Sequence, residues 1–121
     1  MTEIKLKRVY DDPDGNDGFR VLVDRLWPRG VKKEHLHYDL WAKDITPSPD
    51  LRKWFHEDKE NNWSDFVTLY QKELASSQAV KDFLNMIEDK KEVTLLYASK
   101  EPLHNHASIL KDYLDKVLAK T

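Results

Sequence analysis

The sequence predicts a single three-layer α/β domain, with a mainly parallel central sheet of about four strands flanked by helices. Three observations carry this. A chain of 121 residues fits one domain. Short β-branched and apolar runs alternate along it with longer stretches whose apolar residues recur at helical spacing. Two of the short runs, RVLVD around Val21–Val23 and VTLLYA from Val93 to Ala98, are nearly continuous in apolar residues, as strands covered on both faces are.

Ile4 to Tyr10 reads as the first strand, with Ile4 and Leu6 on one face and Lys5 and Lys7 on the other. Strict alternation puts Arg8 on the apolar face, so the strand either ends or bulges there, or points a basic side chain inward. DDPDGNDG, from Asp11 to Gly18, is a loop. The second strand spans Phe19 to Asp24, and a weaker one covers Asp39 to Lys43. The Asp11–Gly18 loop is too short for a crossover helix. The first two strands are therefore expected to be antiparallel or non-adjacent, and the sheet mixed.

Four helices follow from caps and periodicity. Ser48-Pro49-Asp50 is a start signal: a capping hydroxyl, a proline suited to the first helical position, and an acid at the positive helix end. Leu51, Trp54 and Phe55 continue it as an apolar stripe. Trp63, Phe66, Val67, Tyr70 and Leu74 form a second stripe, and Val80, Phe83, Leu84 and Ile87 a third. Leu110, Tyr113, Leu114, Val117 and Leu118 make a last helix starting near Asn105. The predicted elements leave no linker, repeat or low-complexity tract, so residues 1–121 are read as one domain.

Composition narrows the function. Twenty basic residues oppose 22 acidic ones, a net charge of −2, so no global nucleic-acid footprint exists and any anion site must be a local cluster. The chain has no cysteine, which removes disulfides, thiolate metal sites and a cysteine nucleophile and fits a reducing compartment. MTEIKLKRVY has no apolar signal-peptide region, and no apolar run approaches the roughly 20 residues of a spanning helix. A cytoplasmic protein without a membrane partner is expected. Three glycines build neither GxGxxG nor a Walker A loop, and GxSxG and HExxH are absent. No cofactor is expected, and no metal.

Ligands of α/β sheets bind beyond the carboxyl ends of the strands. Four stretches collect there: Arg8 with Tyr10, Asp24 through Gly30, Lys43 through Ser48, and Tyr97 through His106. In DRLWPRG, Pro28 fixes its own φ and extends Trp27, and Gly30 permits a positive φ. The turn can thus aim Arg25 and Arg29, whose guanidinium forks match phosphate and carboxylate geometry. Two roles are open to them: clamping an anion, with Arg8 helping, or pairing with Asp24 or Asp44 to fix the turn. Trp27 or Tyr97 either stacks a ligand ring or packs in the core. After the Val93–Ala98 strand, Lys100, Asn105 and His106 approach a helix N-terminus, where free N–H groups favour anions and disfavour a protonated imidazole. Asn105 is a ligand contact or a cap. Asp24 and His106 are the candidates for acid–base work. His104, His35 and His37 are read as surface residues, and Glu73 and Arg52 as members of a solvated helix face or of a salt bridge.

RVLVDRLWPRG, PSPDLRKWF, YQKEL (Tyr70–Leu74) and VTLLYASKEPLHNHA resemble, in that order, the YeaO-like branch of the "domain of unknown function 488" family. The resemblance runs from about Ile4 to Leu118. It implies a small single-domain α/β fold in a bacterial or archaeal cytoplasmic protein, with no established activity. The broader family carries an acid-arginine pair after one strand and a Cys-His-Arg tripeptide after a later one. Asp24 and Arg25 match the pair. Asn105, His106 and Ala107 stand at the tripeptide, so the histidine matches and the cysteine and arginine do not. The resemblance thus implies Asp24, Arg25 and His106 near one another, without cysteine chemistry. The functional expectation is binding of a small phosphate- or nucleotide-like anion at the C-terminal sheet edge. It extends to a metal-independent hydrolase or transferase, or alternatively to a non-catalytic module for an acidic ligand or protein partner.

Overall fold

The apolar runs become strands. In the computed structural model, which describes residues 2–101 and 103–120, these are β1 (Glu3–Arg8), β2 (Phe19–Leu22), β3 (Leu40–Trp41) and β4 (Glu92–Tyr97). They form one sheet in the order β1-β4-β2-β3, and every neighbouring pair is parallel. The sheet is therefore wholly parallel rather than mixed. Of the two arrangements open to β1 and β2, non-adjacency holds, because β4 lies between them. The connection from Val9 to Gly18 needs no helix: about ten residues reach roughly 33 Å, more than the length of a short strand.

The helical repeats become α1 (Pro49–Glu57), α2 (Lys59–Ala75), α3 (Gln78–Ile87) and α4 (His106–Ala119). Each is capped by a side chain that accepts a backbone N–H of the first turn: Ser48, Asp58, Ser77 and Asn105 respectively. Asp58 also ends α1, so α1 and α2 are joined without a loop. Among the described residues, no helix is long and apolar enough to cross a membrane.

The two faces of the sheet are covered differently. Buried side chains of all four helices share one cluster with Val21, Val23, Val93, Leu95 and Tyr97. Leu22 and Leu96, on the opposite face, belong to a second cluster with Val9 and Leu36, against which Trp27, Val31 and Tyr38 pack. The second cover is thus the β2–β3 connection, residues 23–39, which holds one 3-10 turn (Lys33–His35) and no α-helix. Val21 to Val23 are fully buried, as their continuous apolar run predicts. Beside that loop lies a charged cluster. Asp17 bonds Arg20 and receives Lys7 Nζ at 3.0 Å, and its carbonyl accepts Thr94 Oγ1 at 2.7 Å. Arg20 donates onward to the His37 carbonyl at 2.6 Å. Gly18 closes against this corner with a positive φ, and a Cβ there would strike the Glu92 backbone.

Candidate functional site

The parallel sheet sends every strand's C-terminal end to one edge, and the loops leaving β2 and β4 meet there. DRLWPRG leaves β2. Trp27 turns inward: its Nε1 donates to the Val31 carbonyl at 2.6 Å, and its ring packs edge-on against Tyr38 and Trp41. Trp41 Nε1 donates to the Asp24 carbonyl at 2.7 Å, tying the turn to β3. Pro28 is buried and Gly30 has a φ of 76°, so the chain reverses where the sequence expects. With Trp27 committed to the protein, Arg29 is exposed and Arg25 half-buried.

They face an open cleft of about 1030 Å³. One wall is the β2 loop, with Asp24, Arg25 and Arg29. A second is the β4–α4 loop with Lys100, Glu101, His104, Asn105 and His106. The third is the α1–α2 elbow, which contributes Arg52, His56 and Lys59 above Phe55 and Phe66. Among the described residues, none of the five cations Arg25, Arg29, Arg52, Lys59 and Lys100 has a carboxylate within ion-pair distance. Arg25 Nε is, in addition, buried without an acceptor.

Asp24 and His106 meet at the base of the cleft. Asp24 Oδ2 accepts the Ala98 N–H at 2.9 Å, so the acid clamps the end of β2 to the end of β4. His106, first residue of α4, places Nε2 at 2.8 Å from the Val23 carbonyl and 3.0 Å from Asp24 Oδ1. A carbonyl oxygen only accepts, so Nε2 carries a proton whatever the charge of the ring. Nδ1, the other ring nitrogen, has no hydrogen-bond partner among the described residues. His56 sits across the cleft. Its pKa is lowered from the usual histidine value, first by burial and then by the charges of Lys59, Arg52 and His106.

Of the site residues expected from sequence, Asp24, Arg25, Trp27, Arg29, Lys100, Asn105 and His106 come together around this cleft. Arg8 and Tyr97 do not line it. Arg8 is the inward basic side chain that alternation allowed. Its guanidinium donates to the carbonyls of Ala98 and Ser99, both at 3.0 Å, and lies over the Tyr10 ring. It braces the β4–α4 loop from behind. Tyr97 packs in the helix-side core at 6% exposure. Asn105 takes the cap role, accepting from Ser108 N at 2.9 Å and donating to the Glu101 carbonyl at 2.7 Å. His35 and His37 are exposed. The α1–α2 contributors were invisible to sequence reasoning, because a cation on a helix face reads the same whether it meets solvent or a cleft. Glu73 is likewise no solvated acid: it accepts both Ser48 N and Ser48 Oγ, at 2.9 and 2.6 Å, fastening the start of α1 to α2.

Residues 3–121 match the family described as the inactive DUF488-N3 subclade. The uncharacterized protein YeaO of Escherichia coli is 47% identical over 111 residues, spanning 92% of this chain and 96% of YeaO. An uncharacterized protein of Mycobacterium tuberculosis is 38% identical over 114 residues, spanning 94% of this chain and 95% of its own. No solved structure matches.

Proposed function

The chain belongs to the inactive DUF488-N3 subclade, and from that premise we propose that it binds a small phosphate-bearing anion in the strand-end cleft without turning it over. One observation carries this reading: five cations surround one cleft and, among the described residues, none has a carboxylate within ion-pair distance. Like charges held together destabilise a fold, and an anion placed among them relieves that repulsion. Arg25, Arg29 and Arg52 provide forked donors, and Lys59 and Lys100 provide point charge around them. The word "inactive" in the subclade's description, and the missing cysteine beside His106, both favour binding over catalysis. A cytoplasmic setting fits a chain without cysteine.

Thermal shift of the purified chain with phosphate, sulfate, nucleotides and sugar phosphates tests the reading. A ligand at about 100 times its Kd adds roughly 2.7 kcal/mol, several degrees for a domain of this size. At the same ligand concentration the stabilisation should fall by about half in Arg29→Ala, with the ligand-free melting temperature little changed. No shift with any anion, or a ligand-free Arg29→Ala protein that melts far lower, assigns the turn to structure instead.

A second reading is favoured by one specific geometry, the fixed Nε2 proton and unpartnered Nδ1 of His106 beside Asp24. In a hydrolase or transferase, Nδ1 would accept the proton of an attacking water or hydroxyl while Asp24 stabilises the imidazolium. Hydrolysis of a bound phosphate ester, lost in His106→Ala while binding survives, would establish it. Bound ester that stays intact on prolonged incubation eliminates it.

A further inference from the structure

One ring in the cleft is left unused by the cations. His104 and Trp63 lie nearly parallel, with centroids 4.6 Å apart and planes inclined by 16°, within the range of stacked aromatic pairs. Of the two, His104 lines the cleft and Trp63 does not. Trp63 therefore covers one face of His104 from the α2 side, and the exposed remainder of the imidazole borders the cleft. The ring is held on two counts. Trp63 is itself wedged against Phe55 and Phe66, at 5.9 and 6.0 Å. Glu101 Oε1 accepts the N–H groups of Leu103 and His104 at 3.1 and 3.4 Å, folding the loop that carries the histidine. The imidazole is exposed, and its nitrogens have no hydrogen-bond partner among the described residues. A ring ordered from behind and bare in front lets a second flat ring dock with little loss of side-chain freedom.

We infer that His104 is a stacking platform, and that the anion taken by this cleft is a nucleotide. Its base extends the Trp63–His104 stack, and its phosphate lies among Arg25, Arg29 and Lys100. The inference rests on the anion-binding reading and narrows it to ligands that carry a heteroaromatic ring. Size agrees with it: a cleft of about 1030 Å³ lies at the upper end of the small-molecule range, far larger than a bare phosphate fills. Inorganic phosphate or a sugar phosphate would engage the cations and leave the His104 face uncovered.

Calorimetric titration of the full chain with AMP and with ribose 5-phosphate isolates the ring, because the two ligands share the ribose and the 5′-phosphate. Stacking on a single ring should make AMP bind roughly tenfold or more tightly than ribose 5-phosphate. His104→Ala should bring AMP to the ribose 5-phosphate level and leave ribose 5-phosphate unchanged. His104→Phe, which restores a ring, should retain the preference. Equal affinities in the native chain, or a preference that survives His104→Ala, overturn the platform while the anion site stands. Failure of both ligands and of inorganic phosphate to bind removes the anion reading and the platform together. A 5′-phosphorylated diadenylate separates two sources of the same chemistry. Tighter binding than AMP assigns the site to the end of a nucleic-acid strand, and equal or weaker binding to a free nucleotide.

Discussion

Two groups of cations in this molecule are treated in opposite ways. Lys7 and Arg20, on the sheet face away from the helices, are closed around Asp17, with Arg20 only 2% exposed. Arg25 and Arg29, a few residues further along the same chain, meet no carboxylate among the described residues. Both groups cost desolvation or repulsion, and only the first is compensated internally. The difference teaches how to separate charge that holds a fold together from charge kept for something outside it.

The largest expected effect lies at the compensated cluster. Asp17→Ala leaves Arg20 buried without its acid and should lower unfolding free energy by about 3–5 kcal/mol, read by urea denaturation. Arg29→Ala should change it by no more than about 0.5 kcal/mol. Equal losses at the two places would erase the distinction. The cluster also has a pH signature. Burial alone pushes the Asp17 carboxyl up, but the Asp14 N–H, Lys7 and Arg20 outweigh it, so its pKa is lowered. That contribution is complete above the usual carboxylate range and is lost as pH falls through the depressed value.

Next in size is the Glu73 clamp. Glu73→Ala strands the Ser48 N–H and hydroxyl and should cost about 1–3 kcal/mol, where a solvated helix acid would cost nearly nothing. Anion affinity should respond in the reverse order. Arg25→Ala or Arg29→Ala should each weaken phosphate binding about tenfold, about 1.4 kcal/mol, while Glu73→Ala leaves it intact if the protein is folded.

These contrasts explain how far the sequence could be read. The strands, helices, Ser48 and Asn105 caps and the Gly30 turn were legible because each depends on neighbours within a few positions. Asp24, Arg25, Arg29, Lys100 and His106 were legible because parallel strands send their carboxyl ends to one edge, so strand assignment alone gathers them. Arg52, His56 and Lys59 were not, since only the packed fold shows that the α1–α2 elbow overhangs that edge. His104 was set aside because stacking on Trp63 joins residues far apart in the chain. Arg20 does carry a signal in the sequence. It shares a strand face with Leu22, the same inward basic pattern noted for Arg8, and its partner Asp17 sits three residues earlier in a loop.

The smallest effect is also the most local report on the cleft. His56 is disfavoured from protonating by burial first and then by Lys59, Arg52 and the facing His106. A histidine whose folded pKa lies below its unfolded value of about 6.5 binds its proton more readily in the unfolded chain. Stability is therefore complete above that value and declines as pH falls through it, by a modest amount that salt screens because the side chain is only partly withdrawn from solvent. An anion seated among the same charges cancels the part of the depression that they cause. Titration of His56 by NMR should then show its pKa rising when phosphate is added, with a proton taken up on binding, and the rise should be blunted in Arg52→Ala. A His56 pKa unmoved by saturating phosphate would confine the anion to the Arg25–Arg29 wall. The cations of the α1–α2 elbow would then belong to the protein's own electrostatics, on the same side of the comparison as Lys7 and Arg20.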